Sequence, residues 1–237
     1  MKKGITLAVI PARGGSKRLK KKNIRRVLQG PLLKYTLDAA EDSDLVDEAI
    51  VSSDSPEIAK IARQCGGQVL FERPSELATD TASNYDVLRH AVGWWEENRG
   101  PVDVAVLLQP TSPLRSAEDI DECIRLFKRA KPDAVVSVAP ASPPPWWVVT
   151  LDSENRPKAV VERKDQFRTR KQDLPDTYVP NGAVYVLKRN FLMAGHTAFE
   201  GDTRCFVMPR ERSIDVDEET DLILVRELLR RGRRSRP

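Results

Sequence analysis

Two near-continuous apolar runs, residues 5–10 and 102–108, constrain this chain more than any other feature. A strand that is apolar on both faces must be covered on both faces, which favours a buried parallel sheet. Helical spacing recurs between and after these runs. Residues 31–41 begin at Pro31, which suits the first turn of a helix, and residues 56–65 end at Gly66-Gly67. Residues 80–98 carry Val87, Leu88, Ala91, Val92 and Trp95 at helical intervals, and 117–130 and 218–229 are amphipathic. Further strands are predicted at 49–53, 68–71, 133–138, 183–187 and 205–208. This alternation predicts an α/β fold, a three-layer α/β/α architecture around a mostly parallel sheet.

The 237 residues read as one domain, with residues 140–180 as an insertion. Pro140 and Pro143-Pro144-Pro145 precede Trp146-Trp147 there, and residues 162–171 are charged and aperiodic. Prolines and tryptophans on an extended arm suit either a subunit contact or a local minicore.

The apolar run at 5–10 leads straight into Pro11-Ala12-Arg13-Gly14-Gly15-Ser16-Lys17. From Arg13 to Arg26 there are eight Lys or Arg residues and no Asp or Glu. Ligands of open α/β sheets bind at the carboxyl ends of strands, so this loop can hold a polyanion such as a nucleoside triphosphate. Gly14 and Gly15 let the backbone approach it with N–H groups turned inward, and Arg13, Lys17 and Lys22 supply charge. A solvated basic loop is the plainer alternative. Two familiar phosphate loops are excluded. The spacing G-x-G-x-x-G is missing, and so is G-x-x-x-x-G-K-S/T.

The net charge of +4 does not describe the body of the protein. Arg230, Arg231, Arg233, Arg234 and Arg236 exceed it by themselves. A basic tail and one basic loop do not make a nucleic-acid face, so nucleic acid is not expected as a partner. No apolar run approaches membrane-spanning length, and Lys2-Lys3 leads only into a short stretch broken by Pro11, so the sequence predicts a cytoplasmic protein without a membrane partner. Cys65, Cys123 and Cys205 are far apart in apolar-looking segments and read as reduced core residues.

Asp215 and Asp217 flank Val216, so an extended backbone points both carboxylates the same way. Paired hard oxygens suit Mg²⁺ together with substrate phosphates. Alternatively, Asp217 simply caps the last helix. The turn Gln109-Pro110-Thr111-Ser112-Pro113-Leu114-Arg115 follows a buried strand, and its prolines stiffen the polar side chains. Arg73 adds a cation after another strand end, and Asn181-Gly182 opens the strand that carries Tyr185.

The segments IPARGGSKR…KNI, ERP…DTAS, LQPTSPLR, QDLP…PNGAVY and SIDVD occur in the order and approximate spacing of the acylneuraminate cytidylyltransferases, from about Leu7 to Leu229. This resemblance implies the Rossmann-like nucleotide-diphospho-sugar transferase fold. It implies transfer of CMP from CTP to an acidic nine-carbon 2-keto sugar, with Mg²⁺ or Mn²⁺ as cofactor. Arg13, Gly14, Ser16, Lys22 and Asn23 match the positions that hold the triphosphate. Arg73, Ala82 and Ser83 match a segment against the base. Gln109, Ser112, Arg115, Asn181 and Tyr185 match sugar contacts, and Asp215 and Asp217 match the metal pair. Arg13 and Lys22 match catalytic cations. Lys171, beside Gln172, stands where members often carry Arg for the sugar carboxylate. The 140–180 insertion matches a dimerisation arm, implying a homodimer. A relative using another base or sugar (legionaminate or KDO), a nucleic-acid module and a non-catalytic nucleotide sensor remain the alternatives.

Overall fold

The computed structural model describes residues 4–165 and 167–234. Lys2, Lys3 and Arg236 of the basic tail lie outside them. The chain runs β1 (Ile5–Pro11), a small hairpin β2 (Arg26–Val27) and β3 (Gly30–Pro31), α1 (Leu32–Glu41), β4 (Glu48–Ser52), α2 (Pro56–Gln64), α3 (Asn84–Asn98), β5 (Val102–Leu107), α4 (Ala117–Ala130) and β6 (Ala134–Pro140). It continues with a second hairpin, β7 (Val149–Leu151) and β8 (Pro157–Ala159), then β9 (Tyr178–Lys188), α5 (Arg189–Met193), β10 (Thr203–Val207) and α6 (Glu219–Arg234).

Six strands form one sheet in the order β10-β6-β9-β5-β1-β4. β1 is parallel to β4 and β5, and β10 is parallel to β6, while β9 runs antiparallel between β5 and β6. The three-layer, mostly parallel architecture is therefore observed. Helices cover both faces, as the apolar runs require. Leu33, Leu37, Ile58, Ile120, Ile124 and Phe127 fill one face from α1, α2 and α4. Leu88, Val92, Trp95 and Leu192 fill the other from α3 and α5.

A third, smaller apolar cluster positions the site. Leu19, Val27 and Leu32 from the amino-terminal part bury against Val216, Leu222 and Val225 near the end of the chain. Burial of side chains of this size stabilises by roughly 1.5–3 kcal/mol each. The cluster thus holds the cationic loop against the segment that carries Asp215 and Asp217.

Some boundaries differ from expectation for identifiable reasons. Residues 68–71 form no strand beyond a single bridge from Gln68 to Ile50, at the outer edge of the sheet. Helix α3 starts at Asn84 rather than at 80, because the Ser83 side chain accepts from the Tyr85 N–H and caps it there. Strand β9 starts five residues earlier than predicted, at Tyr178, since its first residues pair with the far end of β6. Cys205 is exposed on the edge strand β10 rather than in the core; Cys123 is buried and Cys65 intermediate.

Candidate active site

Strands β1 and β5 deliver two loops to one edge of the sheet, and a cavity of about 470 Å³ opens between them. Arg13, Ser16, Lys17, Arg18, Lys22 and Asn23 line it from the cationic loop. Arg73, Thr79, Asp80, Ala82 and Asn84 face them, Gln109, Pro110 and Thr111 form a further wall, and Asp217 closes one side.

The loop is shaped from behind. Asn23 is buried and its amide donates to the Arg13 carbonyl at 3.0 Å. Gly14 sits so close to Ser55 that a Cβ there would meet the Ser55 Cβ at 3.2 Å. The Gly14 N–H does not point into the cavity as the sequence suggests. It donates to the Asp54 carboxylate at 3.0 Å, and Gly14 is absent from the lining. Arg73 is 4% exposed and donates from Nε to the Ser52 hydroxyl at 3.1 Å and from Nη2 to the Ser52 carbonyl. Burial lowers its pKa to about 10, against the pull of Asp54, which leaves it charged at neutral pH.

The two acids meet the loop from the other end of the chain. Lys22 Nζ lies 3.0 Å from one Asp217 oxygen and Arg18 Nη1 lies 3.0 Å from the other. Both Asp217 oxygens are thus engaged by cations rather than by the start of the last helix. The Asp221 carboxylate serves that helix start, accepting from the Asp217 and Glu218 N–H groups at 2.8 Å each. Thr111 steadies the same segment, its carbonyl accepting from the Val216 N–H at 2.8 Å. Asp215 presents an exposed edge, yet enough protein surrounds its carboxyl to raise its pKa. Desolvation is the main cause and the Asp217 charge adds to it, while the Thr111 hydroxyl and Lys22 oppose. Asp215 and Asp217 bring hard carboxylate oxygens together, a donor set that fits a divalent cation once Lys22 and Arg18 turn to substrate phosphates. Among the described residues no three metal-ligating side chains cluster, so such an ion would complete its shell with phosphate oxygens and water.

Other sequence-predicted residues lie behind the wall. The Ser83 hydroxyl caps α3. Ser112 is fully buried, with its hydroxyl on the Asn181 carbonyl at 3.4 Å. Arg115 is 3% exposed and donates to the Gln109 and Ala183 carbonyls at 3.2 and 2.8 Å. Asn181 accepts from Ser137 at 2.6 Å and donates to Ser213 at 2.9 Å, joining β6 and β9 to the segment before Asp215. Gly182, at φ +73°, lets the strand turn there, and a Cβ would sit 3.3 Å from the Gln109 amide. Tyr185 packs edge-on to Tyr85 with ring centroids 6.4 Å apart, and burial pushes its phenol to about 12. Lys171 and Gln172 are exposed on a short turn of the insertion and do not line the cavity.

Sequence reasoning missed Asp54 and Asp80. Asp80 lies between two cations, paired with Arg13 at 3.0 Å and with Lys17, and these pairs hold its carboxyl below the ordinary range. Its position inside the DTAS segment was the only available signal.

Comparison with known proteins gives a consistent picture. Residues 7–223 match the family model described as Cytidylyltransferase. The chain is 36% identical to the post-translational flagellin modification protein B of Campylobacter coli, over 94% of both chains. It is 33% identical to a CMP-N,N'-diacetyllegionaminic acid synthase of Legionella pneumophila, covering 94% of this chain and 95% of that one. Identity to the N-acylneuraminate cytidylyltransferase of Escherichia coli is 32%, over 92% of this chain and only 50% of that longer protein. In fold it is similar to the CMP:2-keto-3-deoxy-manno-octonic acid synthetase solved with CTP, at TM-score 0.71 and 18% identity over 97% of this chain and 100% of that one.

Proposed function

The chain belongs to the cytidylyltransferase family, and we propose that it is of the acylneuraminate type and joins CTP to a nine-carbon 2-keto sugar acid, giving the CMP-sugar and pyrophosphate. As a family member it is a nucleotidyltransferase. One observation carries the finer reading: Asp217 faces the cationic loop across the cavity, in contact with Lys22 and Arg18. A carboxylate and several cations gathered at one cavity, with Asp215 two residues away, suit a nucleotide tail held through a divalent ion.

In the proposed reaction the anomeric hydroxyl attacks the α-phosphorus in line. A new O–P bond forms as the hydroxyl gives up its proton to solvent and the bond to the leaving pyrophosphate breaks. Such transfers need little covalent help, so the protein positions groups and balances charge. Arg13, Lys17 and Lys22 meet the β- and γ-phosphates, and Lys22 and Arg13 stabilise charge growing on the leaving group. Asp215 and Asp217 would hold Mg²⁺ or Mn²⁺, which supplies charge neutralisation at the transferring phosphate. Arg73, Ala82 and the start of α3 border the nucleoside. Gln109 and Thr111 reach the cavity over the buried frame of Ser112, Arg115, Asn181 and Tyr185.

The insertion supports a homodimer reading. Leu151, Phe167 and Tyr178 are 61%, 64% and 49% exposed, an apolar surface suited to a second copy. Such a dimer would bring Lys171 and Gln172 to the partner's sugar site. A legionaminate-type acid is the second reading for the sugar. By the family resemblance Lys171 stands where members often carry an Arg that can pair bidentately with the carboxylate, and the Legionella relative, matched over 95% of its length, bears a legionaminic name.

Pyrophosphate release with CTP, GTP or UTP, against N-acetylneuraminate, legionaminate, KDN and KDO, tests these readings. CTP with at least one nonulosonic acid should turn over. Activity confined to GTP or to KDO would overturn the reading, and nucleotide binding without release would mark a sensor.

A further inference from the structure

The face opposite the cationic loop carries its own anion. Asp80 reaches across the mouth of the cavity and pairs with Arg13 at 3.0 Å and with Lys17, while the neighbouring Thr79 carbonyl accepts from Arg13 Nη1 at 2.8 Å. Two cations that would meet a polyphosphate tail are therefore already matched. Asp80 is half exposed, so its pairing with the loop is exchangeable rather than architectural. We propose that Asp80 is a resident counter-ion that an incoming anion must displace, and that it sets the minimum length of phosphate chain the site accepts.

The argument is one of competition. A carboxylate tethered to the protein loses little freedom when it pairs, whereas a free anion loses translational and rotational freedom. Inorganic phosphate or sulfate, spanning two cations, offers Arg13 and Lys17 little beyond what Asp80 offers. A chain of two or three phosphates spans more of the loop at once, Ser16 and Lys22 included, and although Lys22 is itself matched by Asp217, one longer anion makes all of those contacts for a single loss of free motion and so displaces Asp80. The same displacement runs in reverse after reaction, when Asp80 returns to the two cations as pyrophosphate leaves. This rests on the loop being the phosphate site, as proposed above, but not on the identity of the base or sugar.

The test compares the intact protein with Asp80→Asn, titrating inorganic phosphate and pyrophosphate by calorimetry in a chloride buffer. Glu57→Gln serves as control. Glu57 pairs with Lys21 of the same loop at 2.7 Å, and neither residue lines the cavity. Asp80→Asn should bind pyrophosphate about fivefold more tightly, as expected for loss of two exposed competing pairs. It should also bind inorganic phosphate measurably where the intact protein does not, with Glu57→Gln unchanged. Equal or weaker pyrophosphate binding by Asp80→Asn would overturn the proposal, and so would an equal gain in both variants. Pyrophosphate titration needs no sugar or nucleotide, so a wrong assignment of the CMP-sugar reaction would leave this result standing.

Discussion

Two loops leave the same edge of the sheet, after β1 and after β5, and they are made in opposite ways. The first, around residues 13–22, keeps Lys17 and Arg18 in solvent with Arg13 and Lys22 more sheltered, and pairs all four with carboxylates from distant segments. The second, from Gln109 to Arg115, turns its longest side chain inward, where Arg115 holds two carbonyls beneath the surface. Only Gln109, Pro110 and Thr111 of it reach the cavity. One loop can exchange partners and the other cannot. Substitutions should therefore separate cleanly, with the first loop and its acids affecting turnover and the second affecting stability.

The sharpest expected contrast comes from Asp217→Ala. Turnover should fall about a thousandfold, with the melting temperature almost unchanged. A large loss of stability with turnover retained would make that acid part of the frame. Arg13→Ala should cost about a hundredfold in turnover, again without destabilisation, as measured by pyrophosphate release beside a thermal melt. Arg115→Ala should act on the other side of the comparison, removing a buried side chain and its hydrogen bonds to the Gln109 and Ala183 carbonyls, and with them about 2 kcal/mol of stability in urea unfolding. If it instead left stability intact and abolished sugar binding, the inward loop would belong to the site.

A pH series sharpens the same comparison. Asp119, 1% exposed, is clamped by Arg212 at 2.8 Å and caps α4 directly after Arg115. Burial alone would raise its pKa, but hydrogen bonds from Arg212 and Ser116 outweigh that and leave it below the ordinary carboxylate value. A depressed carboxylate stabilises above its unfolded pKa, and that contribution disappears as pH falls through the lowered value. Asp119→Asn should therefore be about 1.5 kcal/mol less stable at pH 7, with the gap closing in strong acid. A gap constant with pH would contradict the ion pair. The smallest effect belongs to Glu57→Gln, an exposed pair whose loss should change stability by under about 0.5 kcal/mol.

What the sequence shows directly is local. Apolar runs reveal β1 and β5, Ser116 three residues before Asp119 announces a capping box, and Pro56 after Ser55 starts α2. The cationic loop and the Asp215/Asp217 pair were visible because each is contiguous. Other features depend on partners far along the chain. Nothing near Asp80 reveals that Arg13 and Lys17 will face it, and nothing near Gly14 reveals Asp54. The antiparallel course of β9 follows from its insertion between β5 and β6, which no periodicity reports. Polarity alone also could not sort cavity-facing residues from those behind the wall. Asn181 and Ser112 look like ligand contacts, yet the structure uses them as cross-ties.

The small apolar cluster joining Leu19 to Val216 and Leu222 has a consequence for synthesis. Lys22 and Asp217 are separated by 195 positions, so a ribosome must deliver nearly the whole polypeptide before they can touch. The sheet can assemble earlier, but the cavity is closed on that side only when the final helix folds back. Nascent chains arrested ahead of residue 214 should hold native strands and fail to retain pyrophosphate, and retention by such chains would refute this order of assembly.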